Sequence, residues 1–176
     1  MEVILIRHTS VDVPPGTCYG QTNVSLSASF PEEKATARQR LARYAPFDAA
    51  YTSPLTRCVR LAEACGYPDA IRDKRLMELD FGAWEMQRYD EIQDPRLQLW
   101  YEDYLHVPAT GGESFIDQLR RVSLFMDELR VRPFQKVAVF THGGVIACAQ
   151  VYAGNAKPEE AFRYVPKYGE IVDIVL

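Results

Sequence analysis

The chain opens with Val3-Ile4-Leu5-Ile6, four apolar residues in a row before Arg7 and His8. An unbroken run of that length predicts a strand buried on both faces, the kind found in the middle of an α/β sheet. Val137-Ala138-Val139-Phe140 has the same character near the other end and stops against Thr141-His142. Weaker patterns predict strands at Phe47–Tyr51 and around Ile71, and Glu170–Leu176 reads as a final strand. Between these runs the period changes. Leu55, Cys58, Val59 and Ala62 fall at i, i+3, i+4 and i+7, one apolar helical stripe. Ser53-Pro54 just ahead of them predicts an N-cap with proline at the first helical position. Phe115, Leu119, Val122, Met126 and Leu129 repeat the helical spacing over about four turns. Pro31-Glu32-Glu33 predicts a helix running to about Tyr44, and Gly143-Gly144 leads into a short apolar helix through Val151.

Strands interleaved with helices predict a three-layer α/β/α sandwich around a mostly parallel sheet. The segment from Phe81 to Gly112 breaks the rhythm. It carries Trp84, Tyr89, Trp100, Tyr101 and Tyr104 and reads as a small aromatic-rich helical insertion lying over the sheet edge and the active site. Glu113-Ser114, just after it, reads as a helix cap.

A length of 176 residues fits one domain over 1–176 and leaves little room for two. With 47% apolar and 25% charged residues there is material for a sizeable core and no bias towards disorder. Lys and Arg number 20 against 24 Asp and Glu, a net charge of −4, and no stretch is basic enough for a nucleic-acid surface. The Val3–Ile6 run is too short for a signal peptide's apolar core or a membrane span. Cys18, Cys58, Cys65 and Cys148 have no C-x-x-C spacing and read as free thiols packed as small hydrophobes, as expected of a cytoplasmic protein.

Ligands in α/β sheets bind beyond the carboxyl ends of the strands. Two of those ends carry histidine, His8 and His142, out of three in the chain; the third, His106, reads as a surface residue. With Glu78 they would make a two-histidine, one-carboxylate metal set. The neighbouring charge opposes that: Arg7 adjoins His8, and Arg57 opens the helix after Ser53-Pro54. Guanidinium groups repel a divalent cation and hold phosphate oxygens in a bidentate fork. Helix N-termini after Ser53 and Gly144 add a field of the same sign. The residues point to an anion pocket with His8 as nucleophile towards phosphorus. A neutral imidazole can attack once a hydrogen bond to its other nitrogen sets the tautomer. Glu78 is the candidate proton donor to the leaving alkoxide.

These residues resemble the signature of the histidine phosphatase superfamily, which includes the cofactor-dependent phosphoglycerate mutases. Arg7-His8-Thr9 is similar to its Arg-His-Gly motif, and Ser53-Pro54-Leu55-Thr56-Arg57 to its second arginine motif. Glu78–Glu85 is similar to the acid motif and Thr141–Val145 to the second histidine motif, all in the family's order across nearly the whole chain. The resemblance implies a phosphohistidine on His8, proton donation by Glu78, and a phosphate pocket lined by Arg7, Arg57 and His142. It implies no metal, no organic cofactor and a small phosphomonoester substrate.

Within the superfamily, Arg7–Ser27 is most similar to the α-ribazole phosphatases, which remove a 5′-phosphate during assembly of the cobalamin nucleotide loop. In that loop Gln21 and Thr22 are expected near the phosphate or sugar. Trp84, or another of Trp100, Tyr101 and Tyr104, is expected to face the pocket and stack on the benzimidazole. Thr9 replaces the usual glycine, Ala147 follows where an arginine is common, and Asn23 and Ser25 replace aspartate and proline. These departures spare the catalytic groups and touch the substrate side. Two other readings stand beside this one: a broad-specificity phosphatase or mutase-like enzyme, and a catalytically silent phosphate-sensing module. The mutases usually carry longer insertions, for which 176 residues leave little room.

Overall fold

The two unbroken apolar runs pair with each other at the centre of the sheet in the computed structural model, which describes residues 1–176. β1 (Glu2–Arg7) and β4 (Lys136–Thr141) lie parallel, with Val3 opposite Val137 and Arg7 opposite Thr141. β2 (Ala49–Thr52) runs parallel to β4 on its other side, and β3 (Ile71–Arg72) parallel to β2. β5 (Ile171–Val175) closes the far edge antiparallel to β1, so the order is β3-β2-β4-β1-β5. The helices are α1 (Phe30–Leu41), α2 (Thr56–Ala64), α3 (Arg96–Glu102), α4 (Phe115–Arg130) and α5 (Gly143–Tyr152).

On one face Ile4, Ile6, Ala138 and Phe140 pack against Ala37 and Leu41 of α1 and Cys58 and Leu61 of α2. On the other, Val3, Leu5, Val137 and Val139 meet Phe115, Val122 and Phe125 of α4 and Val145 and Cys148 of α5. Helices on both sides are the reason β1 and β4 show no alternation. The architecture is the three-layer, mostly parallel α/β sandwich the pattern predicted. α4 starts at a reciprocal cap: Ser114 Oγ accepts from the Asp117 N–H, and Asp117 Oδ2 accepts from the Ser114 N–H. His106 is exposed and pairs with Asp103, and all four cysteines are buried.

Two expectations are corrected. Ser53 does not cap α2; the helix starts at Thr56 after an extended Leu55. The Ser53 hydroxyl is turned to His142 Nε2 at 2.8 Å instead, so it serves the site rather than the helix. The insertion, read from the sequence as lying over the sheet edge, packs on the loop after β1. There the Cys18 N–H donates to the Gln87 carbonyl at 2.8 Å and the Met86 N–H to the Cys18 carbonyl at 2.7 Å.

Candidate active site

Parallel pairing of β1 with β4 sets their carboxyl ends side by side, so His8 and His142 leave the sheet at the same level. Both are buried, with ring centroids 5.1 Å apart. His8 Nδ1 donates to the Thr9 carbonyl at 2.8 Å, which places the proton on that nitrogen and leaves Nε2 a lone pair. Burial, helped by the charges of Arg57 and Arg7, pushes His8 down to about 3, so its ring is neutral at pH 7. His142 sits 3.4 Å from Cys58 Sγ as well as beside Ser53, and burial with the Arg57 charge holds it well below the ordinary histidine value.

Arg57 is fully buried in the first turn of α2. It donates to the carbonyls of Thr22 at 3.0 Å and Gly20 at 2.5 Å, both in the loop between β1 and α1. Glu85 pins that loop by accepting from the N–H groups of Gln21 and Thr22, each at 2.7 Å, and from the Thr22 hydroxyl. Glycine is needed at 20 because a Cβ there would stand 1.9 Å from the Leu79 carbonyl oxygen. Arg7 donates to the Pro166 carbonyl, with its guanidinium 4.1 Å over the Tyr168 ring. Both arginines keep a buried Nε–H with no protein acceptor.

Glu78 follows a 3₁₀ turn at Lys74–Leu76. Its Oε1 accepts from the Leu79 N–H at 2.9 Å and from Gln118 Nε2 at 3.0 Å, and its Oε2 from the Gly144 N–H at 3.1 Å. Arg121 of α4 holds the segment by donating to the carbonyls of Arg75, Met77 and Glu78 while pairing with Glu113 at 2.8 Å.

Arg7, His8 and Glu78 open on a cavity of about 280 Å³ whose wall includes Tyr19, Phe81, Tyr89, Phe162 and Tyr168. The Tyr19 and Tyr168 hydroxyls meet at 2.6 Å, and the Tyr168 ring lies 5.5 Å from that of His8. Arg57 and His142 stand behind this lining. The fold thus brings His8, Arg7, Arg57, Glu78 and His142 into one neighbourhood.

It does not bring Gln21, Thr22 or Trp84 to the cavity surface. Gln21 and Thr22 are engaged with Glu85, and Gln21 Nε2 donates to the Glu78 carbonyl at 3.1 Å, so they brace the loop. Trp84 is buried with Cys18, Leu97 and Ala109, its indole N–H on Asp94 at 2.8 Å. Trp100, Tyr101 and Tyr104 are also off the wall; the insertion presents Phe81 and Tyr89 there. The reason is size and polarity: the largest ring fills the insertion's own core, where its N–H finds a carboxylate. Sequence reasoning missed Gln118, whose signal is a glutamine on the apolar stripe of α4. No three His, Cys, Asp or Glu side chains converge as a metal-binding group, and no helix is long and apolar enough to cross a membrane.

The family model of the histidine phosphatase superfamily (branch 1) matches residues 3–175. Phosphoserine phosphatase 1 of Hydrogenobacter thermophilus is 30% identical over 151 residues, 81% of this chain and 71% of that protein. A crystal structure of the α-ribazole phosphatase from Shigella flexneri superposes with a TM-score of 0.89, covering all of this chain and 91% of that one, at 24% identity. At that identity the likeness speaks for the fold alone. A phosphoglycerate mutase from Thermus thermophilus superposes with a TM-score of 0.76 at 29% identity, covering 98% of this chain and 92% of that one. With its two arginines and two histidines gathered at the carboxyl end of a doubly covered sheet, the chain belongs to the histidine phosphatase superfamily, branch 1, and is a phosphatase.

Proposed function

We propose that the protein hydrolyses a small phosphomonoester in two steps, through a phosphohistidine on His8. The observation that carries this reading is the state of His8: neutral, Nδ1–H held by the Thr9 carbonyl, and Nε2 free. That nitrogen attacks phosphorus, the ester oxygen leaves as its bond to phosphorus breaks, and water then takes the phosphoryl group from nitrogen. Charge on the equatorial oxygens is met by Arg7, Arg57 and His142, and the unpaired Nε–H groups of both arginines are donors suited to it. Glu78 gives the leaving alkoxide its proton and takes one back from the attacking water.

For the substrate we propose α-ribazole 5′-phosphate, handled in a cytoplasmic setting. The support is the cavity wall. Phe81, Tyr89, Phe162 and Tyr168 line it with aromatic rings suited to a flat apolar base, and Arg7 is the only Lys or Arg on the lining. Phosphoserine and 3-phosphoglycerate carry a carboxylate that this wall leaves without a second cation. Gln21, Thr22 and Trp84 act on substrate indirectly, by holding the loop and the insertion that shape the wall.

Trapping in alkaline denaturant tests the chemistry. Enzyme mixed with labelled substrate should retain label that survives alkali and is lost in acid, and His8→Ala should abolish both label and turnover. Label on another residue, or an active His8→Ala, overturns the mechanism. A panel of phosphomonoesters tests the substrate: preference for phosphoserine or 3-phosphoglycerate over α-ribazole 5′-phosphate removes that assignment and leaves the phosphohistidine standing.

A further inference from the structure

α4 turns Phe115, Val122, Phe125, Met126 and Leu129 to the core. Gln118 stands among them, fully buried, where the helical period calls for an apolar side chain. Its amide has one hydrogen-bond partner: Nε2 donates to Glu78 Oε1 at 3.0 Å, while its own Oε1 is buried without any. A buried carbonyl left unpaired lowers stability. Position 118 therefore gives up stability that a leucine would supply, and what it gains is contact with Glu78 at the cavity lining. A Cβ on Gly144 would come within 2.3 Å of Glu78 Oε1 and 2.9 Å of Gln118 Oε1, so bare backbone at 144 is what admits the pair.

The bonding of Glu78 is uneven. Oε1 takes two N–H donors, from Leu79 and Gln118, which fills both lone pairs; Oε2 takes only the Gly144 N–H. We propose that Gln118 is a positioning residue for Glu78: by occupying the second lone pair of Oε1 it holds the carboxyl's orientation and leaves Oε2 as the oxygen that carries the proton to the leaving group. The inference rests on the reading of Glu78 as proton donor. The charged and titratable groups around Glu78 are Arg7 at the end of β1 and His8 after it, Tyr19, Tyr89 and Tyr168 on the cavity lining, Cys58 of α2, Cys148 of α5, and Arg121 of α4 with its partner Glu113. None of these side chains bonds Oε1 in place of Gln118, and Arg121 reaches only the Glu78 backbone carbonyl.

The experiment compares Gln118→Leu, Glu78→Gln and the double variant on an alkyl phosphate and on p-nitrophenyl phosphate, whose phenolate leaves without a proton. Gln118→Leu should lower the alkyl-to-aryl ratio of kcat/KM, which reports transfer to His8 and not the shared water step, about tenfold. Its melting temperature should stay level or rise by about 2–4 °C, which a residue held for packing would not show. In the Glu78→Gln background it should add nothing. Gln118→Met, equally long and without an N–H, gives the same readout where leucine packs badly. Equal losses on both substrates with a lowered melting temperature, or additive losses in the double variant, overturn the proposal. If Glu78→Gln itself shows no leaving-group dependence, the proton-donor reading falls and the positioning role with it. If Glu78→Gln shows that dependence and Gln118→Leu does not, the positioning role alone falls.

Discussion

The polar floor, which extends from His8 to the groups behind the cavity lining, and the aromatic wall are held in different ways. The floor, His8, His142, Arg57 and Ser53, comes from strand ends, the approach to α2 and its first turn, and every one of these polar side chains is buried. Each has a named partner: a carbonyl under His8, a hydroxyl beside His142, two carbonyls on Arg57. The wall, Tyr19, Phe81, Tyr89, Phe162 and Tyr168, comes from loops and 3₁₀ turns, and Tyr168 is still 37% exposed where His142 is 0%. A buried polar group tolerates little displacement because an unpaired one is costly. A half-exposed ring can be exchanged for another at the cost of contact area. The floor is thus suited to invariant chemistry and the wall to the choice of alcohol.

That contrast is open to attack at several points, and the heaviest blow falls on the floor. Arg57→Ala removes the buried cation proposed to meet the phosphate and unties the Gly20–Thr22 loop, so kcat/KM should drop by about 10³-fold. A loss under tenfold in steady-state kinetics would make Arg57 a loop brace only. Next comes Glu78→Gln, expected to lower kcat/KM for an alkyl phosphate about 10²-fold and for p-nitrophenyl phosphate much less, since kcat/KM leaves out the water step that both substrates share. Equal slowing would move Glu78 from proton transfer to support of the fold.

The floor also stores a pH dependence. His8 is lowered to about 3 and His142 is lowered as well, both chiefly by burial. A lowered histidine adds its stability above the unfolded value near 6.5, and that stability is lost as pH falls towards the folded value, because the unfolded chain takes up the proton first. Unfolding free energy should therefore decline below about pH 6.5, with a slope approaching about 1.4 kcal/mol per pH unit for each ring. Urea midpoints at pH 7 and pH 5.5 check this, and a flat profile would mean that the rings titrate freely in the folded protein.

The smallest effects sharpen the contrast within the insertion itself. Tyr89→Ala, on the wall, should raise KM for an aromatic ester about tenfold and change stability by no more than about 1 kcal/mol. Trp84→Phe, in the insertion core, loses the Asp94 hydrogen bond and should cost about 1–2 kcal/mol in urea denaturation with KM nearly unchanged. The reverse pattern would put Trp84 back on the substrate side.

The elements that the chain announces are those whose signal is local. β1 and β4 declare themselves by apolar runs, α4 by its stripe and its Ser114 cap, and His8 and His142 by standing where those runs end. Ser53 misled because its hydroxyl has two possible employers, a helix N-terminus and a histidine 89 positions away, and sequence spacing sees only the nearer. Trp84 misled for a related reason: aromatic composition marks an insertion as ring-rich without saying which rings turn inwards.

Local periodicity and residue chemistry therefore carried the layers, the strand ends and the choice of five side chains that the fold gathers in one neighbourhood. The wall of the cavity, the bracing of the Gly20–Thr22 loop by Glu85 and the bond from Gln118 to Glu78 depend on contacts between residues 40 to 149 positions apart. Such contacts leave no period in the chain; they exist because packing the insertion and α4 against the strand ends gives each buried N–H and carboxylate the partner it cannot do without.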